Sequence, residues 1–342
     1  MPQNSDTLNQ LKQEYLAAIE TELATSVRRT AQSGLSALHG MLTYHMGWEG
    51  QGAGAEARGK RIRPLLVLLS CAAAGGDWKQ ALPAASAVEL VHNFSLIHDD
   101  IEDNSPLRRG RPTVWKLWGI PQAINAGDAL LALAHLAIIQ PENSLTPLIA
   151  LRAAELLQRT CLHLTQGQYL DLSYEIRSDL NLDDYWLMIS GKTAALLAAC
   201  THLGALIAGV NPERQTHFSE FGRYLGLAFQ AQDDLLGIWG DAELTGKSSE
   251  SDLVTGKKTL PVLYGLSRSG AFARRWSQGS ISPDEVGDIA RLLAEEGGRS
   301  YCEQISAQLT NQALEALASA RPEGTASLAL RQLTDSLLNR KG

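Results

Sequence analysis

Residues 92–103 read HNFSLIHDDIED and close an apolar run that begins near Val88. Val88, Leu90, Val91, Phe94, Leu96 and Ile97 recur at helical spacing, and Asp99, Asp100, Glu102 and Asp103 end the segment. Asp99 and Asp103 are four residues apart, so they share a helix face. Like carboxylates at that spacing repel, and an acid cluster ending an apolar helix asks for a cation. Hard oxygen ligands suit Mg²⁺, which one or two carboxylates plus substrate phosphates usually hold. Taken alone, the cluster also fits a solvated helix end.

The residues that follow favour the cation. Arg108, Arg109 and Arg111 come within eight residues of Asp103. Guanidinium forks suit phosphate oxygens, so this order fits a diphosphate held both directly and through a metal. A second acidic cluster, Gln230, Asp233 and Asp234, follows its own apolar run about 130 residues downstream. Two acid-tipped helices fit a bundle that presents facing carboxylates across one cavity. Lys60 and Arg63 sit one turn apart at the opening of another apolar helix, where an anion finds free N–H groups. Lys192-Thr193 interrupts an apolar helical stretch, Lys247 and Lys257 lie in or just beyond a long polar loop, and His92 shares the Asp99 face. Singly, each of these reads as readily as a surface lysine or a core histidine.

Composition narrows the class. The chain has 342 residues, 44% apolar and 20% charged, which excludes global disorder. A net charge of −7 argues against a general nucleic-acid binder. Cys71, Cys161, Cys200 and Cys302 form no CxxC pair, so a zinc cage or redox motif is not expected. No signal peptide is visible, and the most membrane-like stretch, 193–210, reads as a core helix because it carries Thr201 and His202. The expected location is cytoplasmic, with no transmembrane segment. The Ala- and Leu-rich patterning predicts an all-α chain with helices over 6–33, 58–75, 79–103, 122–139, 145–175, 182–210, 212–238, 258–267, 282–296, 299–319 and 323–340, and no strand. Loops are expected at 48–59, 104–112 and 240–256.

The motifs GKRIRP (59–64), HNFSLIHDDIEDNSPLRRGRPTVW (92–115), GDALL (127–131), GQYLDL (167–172), GKTAAL (191–196), FQAQDDLLGIWGD (229–241), TGK (245–247) and the lysine pair 257–258 together resemble the trans-isoprenyl diphosphate synthases of the polyprenyl synthetase family. The resemblance covers about 57–261. It implies one isoprenoid-synthase domain over 1–342, a helical bundle around a central apolar cavity, with 262–342 as closing helices. It implies that Asp99 and Asp103, with Asp100 in support, and Asp233 bind Mg²⁺, about three ions per site with substrate present. Arg108, Lys192, Thr193, Gln230, Lys247 and Lys257 would contact an allylic diphosphate. Lys60, Arg63, His92 and Arg109 would grip isopentenyl diphosphate, while Gln168 and Asp171 line the cavity near the metals. Asp99, Asp103, Lys192 and Asp233 are the expected catalytic residues. The implied reaction joins isopentenyl diphosphate to dimethylallyl, geranyl or farnesyl diphosphate, giving a C15–C20 product from a homodimeric enzyme. Phe94, five residues before Asp99, and Ser95 beside it stand where the family sets chain length, and the aromatic ring resembles the short-chain members.

One position departs from the family pattern. The second motif usually reads DDxxD, but here residue 237 is glycine. The expectation is a slower but active enzyme, with Asp241 a candidate to compensate through water. Two alternatives stay open at this stage. A class I terpene cyclase would share the helices and acids but would not need Lys60, Arg63 and Arg109. A weakly active or inactive partner subunit or cargo protein would account for Gly237.

Overall fold

The computed structural model describes residues 5–140, 145–240 and 252–338. Its helices are Ser5–Arg28, Ser36–His45, Ala55–Arg58, Ile62–Ala73, Leu82–Glu102, Val114–Trp118, Ile120–Ile139, Pro147–Tyr174, Leu182–Ile189, Ala195–Ile207, Pro212–Trp239, Leu260–Ser267, Ala271–Trp276, Val286–Glu295, Gly298–Ser319 and Gly324–Leu338. The all-α expectation holds. Pro83, Pro121 and Pro261 stand in first turns, where a missing N–H costs nothing. Asn181 and Asp184 form a reciprocal capping box at the start of Leu182–Ile189.

Four local expectations are corrected. The helix expected over 6–33 stops at Arg28, and a separate helix, Ser36–His45, follows a turn through Gly34 at φ 83°. The stretch 182–210 is broken by a π-helical turn over Ser190–Ala194. The short helix Ala271–Trp276 precedes the expected one, whose start at Val286 follows a 3₁₀ turn. Two short strands, β1 (Leu107–Arg108) and β2 (Arg111–Pro112), pair antiparallel where a loop was expected. Strands of two residues carry no alternation to read. Their turn puts Arg109 at φ 52° and Gly110 at φ 71°, the doubly left-handed conformation that matches hairpin twist.

The chain divides into two compact units. The first comprises Met1–Arg159, Cys200–Gln215 and Arg321–Leu330, and the second Thr160–Ala199, Thr216–Ala320 and Arg331–Gly342. In the first, Leu82–Glu102 packs chiefly on Ile120–Ile139 and also on Ile62–Ala73. Val88, Leu90, Val91 and Ile97 are buried, each worth about 1.5–3 kcal/mol if fully withdrawn from water. Gly127 permits the main contact, because a Cβ there would meet the His98 imidazole. Gly204 brings its helix onto the backbone of Val67 and Cys71 in the same way. Among the described residues, Ile120–Ile139 is the one helix long and apolar enough to cross a membrane, and Ile120, Ile124, Leu136 and Ile139 on it are exposed. The stretch 193–210 is instead largely a buried helix.

In the second unit, Phe218, Phe221 and Leu225 are buried along Pro212–Trp239. Further on, Ile238, Leu253, Val262, Phe272, Ile289 and Leu293 form a common core. Cys71, Cys200 and Cys302 are buried and Cys161 is partly so, all as free thiols.

Candidate active site

The first acid-tipped helix ends as its sequence suggests. Asp103 is the C-cap, its N–H bonded to the carbonyls of Asp99 and Ile101. Asp103 is exposed and Asp99 partly so, one turn apart on the same face. Asp100 points the other way and is 2% exposed. Its Oδ1 accepts from Arg108 Nε at 2.8 Å, while its buried Oδ2 has no hydrogen-bond partner. Burial pushes the Asp100 carboxyl up to about 6, and Arg108 opposes that rise.

The hairpin then distributes three arginines to three tasks. Arg108 neutralises Asp100. Arg111 is buried, and its donors go to the carbonyls of Tyr44, Glu49 and Gln51, with the guanidinium 4.0 Å over the Tyr44 ring. It organises the preceding loop, with each of its three guanidinium nitrogens already bonded to a backbone carbonyl. Arg109, at the turn, donates to Ala57 O at 2.8 Å and lies against Gly59, where a Cβ would strike its guanidinium. The glycine of GKRIRP therefore makes room for an arginine fifty residues away.

Within GKRIRP, Arg61 is a structural cation. It caps the helix from a left-handed conformation and binds Glu20, Glu89 and Met46 O. Lys60 is exposed. Arg63 Nη1 lies 3.2 Å from His92 Nε2. Burial foremost, then Arg63, Arg109 and Arg108, hold the His92 pKa well below its usual value. The imidazole is neutral, and arginine only donates, so Nε2 accepts and the proton sits on Nδ1. Arg63 touches this neutral histidine, and Arg109 and Arg108 lie near enough to depress its pKa, a positively charged setting that suits an anion. Phe94, two residues further on, is partly buried and edge-to-face with His98 at 4.8 Å, and Ser95 donates to His92 O at 2.9 Å.

The second unit carries the other residues. A Cβ on Gly167 would overlap the Lys192 backbone, and one on Gly191 would overlap His163 O. These glycines let the π-helical turn touch Pro147–Tyr174 backbone to backbone, which brings Lys192 Nζ into an ion pair with Asp171. Thr193 Oγ1 donates to Gln230 Oε1 at 2.8 Å, and Gln230 Nε2 donates to Asp234 Oδ1 at 2.9 Å. Asp234 is buried and also accepts from Tyr185 Oη at 2.7 Å and Leu260 N–H at 2.9 Å. Burial pushes Asp234 up to about 6 against these three donors. Asp234 therefore anchors the start of Leu260–Ser267, and Asp233 beside it is partly exposed. Gln168 is partly buried, and Lys257 is exposed with its N–H on Asp252 O. Lys247 and Asp241 lie outside the described residues.

Three contributors carried no sequence signal, and a fourth, Lys258, stands in the sequence only as the second of the lysine pair. His45 lines a small polar cavity with Tyr44, Leu96, Asp100, Arg108 and Arg109. Tyr185 completes the Asp234 network. Lys258 donates to Tyr174 O and Glu175 O, capping the helix that carries Gln168 and Asp171. Asp252 lies against Gly237.

The donor set fits a hard divalent cation. Asp99 and Asp103 offer two carboxylates on one face, and Asp100 Oδ2 behind them is an unsatisfied buried oxygen. Among the described residues no three His, Cys, Asp or Glu side chains converge on one point. A cation there must complete its shell with water and substrate phosphate, as Mg²⁺ does.

The polyprenyl synthetase family model matches residues 53–293. A (2E,6E)-farnesyl diphosphate synthase from Mycobacterium tuberculosis is 42% identical over 288 residues, 81% of this chain and 79% of the relative. A geranylgeranyl diphosphate synthase from the same organism is 40% identical over 299 residues, 85% and 84% of the two chains. The crystal structure of a polyprenyl synthetase from Streptomyces coelicolor A3(2) superimposes with a TM-score of 0.86 at 35% identity, covering 97% of this chain and 99% of that one. With its acid-tipped helices, its arginine hairpin and these likenesses taken together, the chain belongs to the polyprenyl synthetase family.

Proposed function

We propose that this protein is a short-chain trans-prenyltransferase that joins isopentenyl diphosphate to dimethylallyl, geranyl or farnesyl diphosphate and releases a C15–C20 prenyl diphosphate. The observation that carries the reading is the positive charge of Arg63, Arg108 and Arg109 near neutral His92, about two helical turns before Asp99 and three before Asp103. A terpene cyclase has no use for that second anion site, so the cyclase reading is not favoured. The two units act as one isoprenoid-synthase domain, and both acidic motifs serve one reaction.

Asp99 and Asp103, with Asp100 in support, and Asp233 would hold Mg²⁺, about three ions per site, which supplies Lewis-acid neutralisation of the charge that grows on the departing diphosphate. Arg108, Lys192, Thr193, Gln230, Lys247 and Lys257 bind the allylic diphosphate and stabilise the same charge with preorganised donors. Asp171 aims Lys192, and Asp234 aims Gln230, which in turn fixes Thr193. Lys60, Arg63 and Arg109 bind the diphosphate of isopentenyl diphosphate, and His92 donates to it through Nδ1–H while Nε2 stays on Arg63. The allylic C–O bond breaks, the isopentenyl double bond attacks the cation, and a proton is lost to the released diphosphate. Apolar walls, with Phe94 as floor, keep water from the cation.

The protein is proposed to be a cytoplasmic homodimer. The exposed apolar residues Ile120, Ile124, Leu136, Ile139, Leu148 and Leu151 support a subunit contact. The deciding experiment incubates the protein with Mg²⁺, labelled isopentenyl diphosphate and each allylic primer in turn, then sizes the products. Formation of C15 or C20 chains is expected. No product from any primer, or product from an allylic primer alone, overturns the reading.

A further inference from the structure

The helix that carries Lys192 and Thr193 changes register as it reaches them. Leu182–Ile189 and Ala195–Ile207 are α-helical, and the π-helical turn Ser190–Ala194 joins them, with Ala195 N–H donating to Ser190 O five residues back. In an unbroken α-helix Tyr185 and Lys192, seven residues apart, would lie about two turns apart on one face, with Thr193 roughly 100° further round. A π turn holds one residue more than an α turn. Thr193 therefore takes the face that Lys192 would have had, and Lys192 is turned off it.

The contacts follow that shift. Tyr185 and Thr193 both bond to side chains of Pro212–Trp239, whereas Lys192 pairs with Asp171 on Pro147–Tyr174. Gly226 stands one turn before Gln230, and a Cβ there would overlap the Ala194 backbone, so the π turn also lies directly on Pro212–Trp239. Four side chains close the join. Tyr185 Oη donates to Asp234 Oδ2 at 2.7 Å, Gln230 Nε2 to Asp234 Oδ1 at 2.9 Å, and Thr193 Oγ1 to Gln230 Oε1 at 2.8 Å. The backbone from 185 to 193 completes a ring. Tyr185 is 2% exposed and Asp234 4%, so water does not compete for the bond between them. An ionised carboxylate only accepts, so the ring has one arrangement, with the Gln230 amide nitrogen toward Asp234 and its oxygen toward Thr193.

We infer that Tyr185 is a positioning residue: its hydroxyl, through Asp234 and Gln230, locks the π-helical register that sends Thr193 and Lys192 to different helices. The ligand those two residues meet, an allylic diphosphate, rests on the prenyltransferase reading; the register lock does not. Tyr185 itself touches neither Lys192 nor a substrate atom. It acts by holding the one helical register in which both residues of the motif are placed.

The lock is tested first without turnover, by amide hydrogen exchange over residues 190–195. Tyr185→Phe keeps the ring and removes the hydroxyl, and is expected to speed exchange there about tenfold or more, the scale of one hydrogen bond to a charged group. Thr193→Val opens the same ring and is expected to match it. The double variant exchanges no faster than either single one, because a ring already open is not opened further. Thr193→Ser keeps the hydroxyl and the slow exchange. Wild-type exchange in Tyr185→Phe overturns the lock, and so do single effects that multiply in the double variant. Turnover then tests positioning. Tyr185→Phe is expected to raise the KM for the allylic primer about tenfold and to leave that for isopentenyl diphosphate nearly unchanged. Equal rises in both constants are what a merely structural residue gives, and they overturn the positioning role. A wild type that makes no product sinks the prenyltransferase reading, and the exchange rates still decide the register lock.

Discussion

Arg108 Nε donates to Asp100 Oδ1 at 2.8 Å, and the pair lies immediately behind the face that Asp99 and Asp103 present. Asp234 stands behind Asp233 in the same way, held by Gln230, Tyr185 and Leu260 N–H. In both motifs the second aspartate is a buried anchor and the first is the acid offered outward. On the prenyltransferase reading, one carboxylate of each pair fixes the helix end and leaves its neighbour to meet the cation.

Removing Arg108 leaves that buried carboxylate without its cation. Arg108 keeps 30% side-chain exposure and Asp100 only 2%, so screening reduces the effect without abolishing it. Arg108→Ala is expected to cost about 2 kcal/mol in denaturant unfolding, and to lower turnover further because a phosphate donor is lost. Arg108→Ala combined with Asp100→Asn recovers most of the stability and none of the turnover. Equal stability losses in the single and double variants contradict the pairing.

Gly59 separates a binding effect from a folding effect. A methyl at 59 meets only the guanidinium tip of Arg109, a flexible group that swings aside. The residue has φ 74°, so alanine adds about 1–2 kcal/mol of backbone strain. Gly59→Ala is expected to leave a folded protein whose KM for isopentenyl diphosphate rises about tenfold, the loss of one charge-assisted bond. The KM for the allylic primer changes much less. Parallel increases in both constants refute the assignment of Arg109 to the isopentenyl side.

Gly167 gives the contrasting case, because its neighbour is the Lys192 backbone. Nothing there swings aside. Gly167→Ala is expected to push the π-helical turn off Pro147–Tyr174, to cost about 1–3 kcal/mol as an overpacked contact, and to separate Lys192 from Asp171. Turnover falls at least about tenfold with it. A crystal structure of the variant with the Lys192–Asp171 pair intact shows the reasoning to be wrong.

The helices and the two acid tips were legible because both rest on local patterns, helical periodicity and i, i+4 spacing. The arginine assignments were only half legible. Sequence places Arg108, Arg109 and Arg111 in one loop, yet Arg111 is spent on the carbonyls of Tyr44, Glu49 and Gln51, contacts sixty residues distant. The hairpin was missed because its strands are too short to alternate. Gly167 and Gly191 stood out as motif glycines, but their mutual contact is tertiary. Tyr185 acts through Asp234, far along the chain, so no spacing announces it, and the lysine pair gives no hint that Lys258 caps a helix more than eighty residues away.

Phe94 lies on Leu82–Glu102 one turn before His98, with its ring against that imidazole. Gly127 admits His98 from the facing helix, so the ring is braced from behind. On the prenyltransferase reading, in which Phe94 is the floor of the chain cavity, Phe94→Ala is expected to lengthen the product by one or more five-carbon units. Product sizing by chromatography checks this, and an unchanged distribution removes Phe94 as the stop.

His45 sets the acid limit of stability. Its Nε2 is buried without a hydrogen-bond partner, and burial together with Arg108, Arg109 and Arg61 lowers its pKa to about 3. Unfolded histidine titrates near 6.5. Between those values the unfolded chain binds the proton and the folded chain does not, so stability rises with pH across that window. Acidification from about 6.5 towards 3 is therefore expected to remove on the order of 4 kcal/mol through His45. Asp100 and Asp234 act in the opposite sense between about 4 and 6, because burial raises both of them. Comparing the wild type with His45→Gln cancels those carboxylates, since the variant retains them. The difference in unfolding free energy between the two proteins should shift steadily in the variant's favour as pH falls below 6.5. A difference that stays constant from pH 7 to pH 4 means that His45 takes up its proton as readily in the folded protein as in the unfolded chain, and the cationic cluster around it must then be looser than the geometry describes.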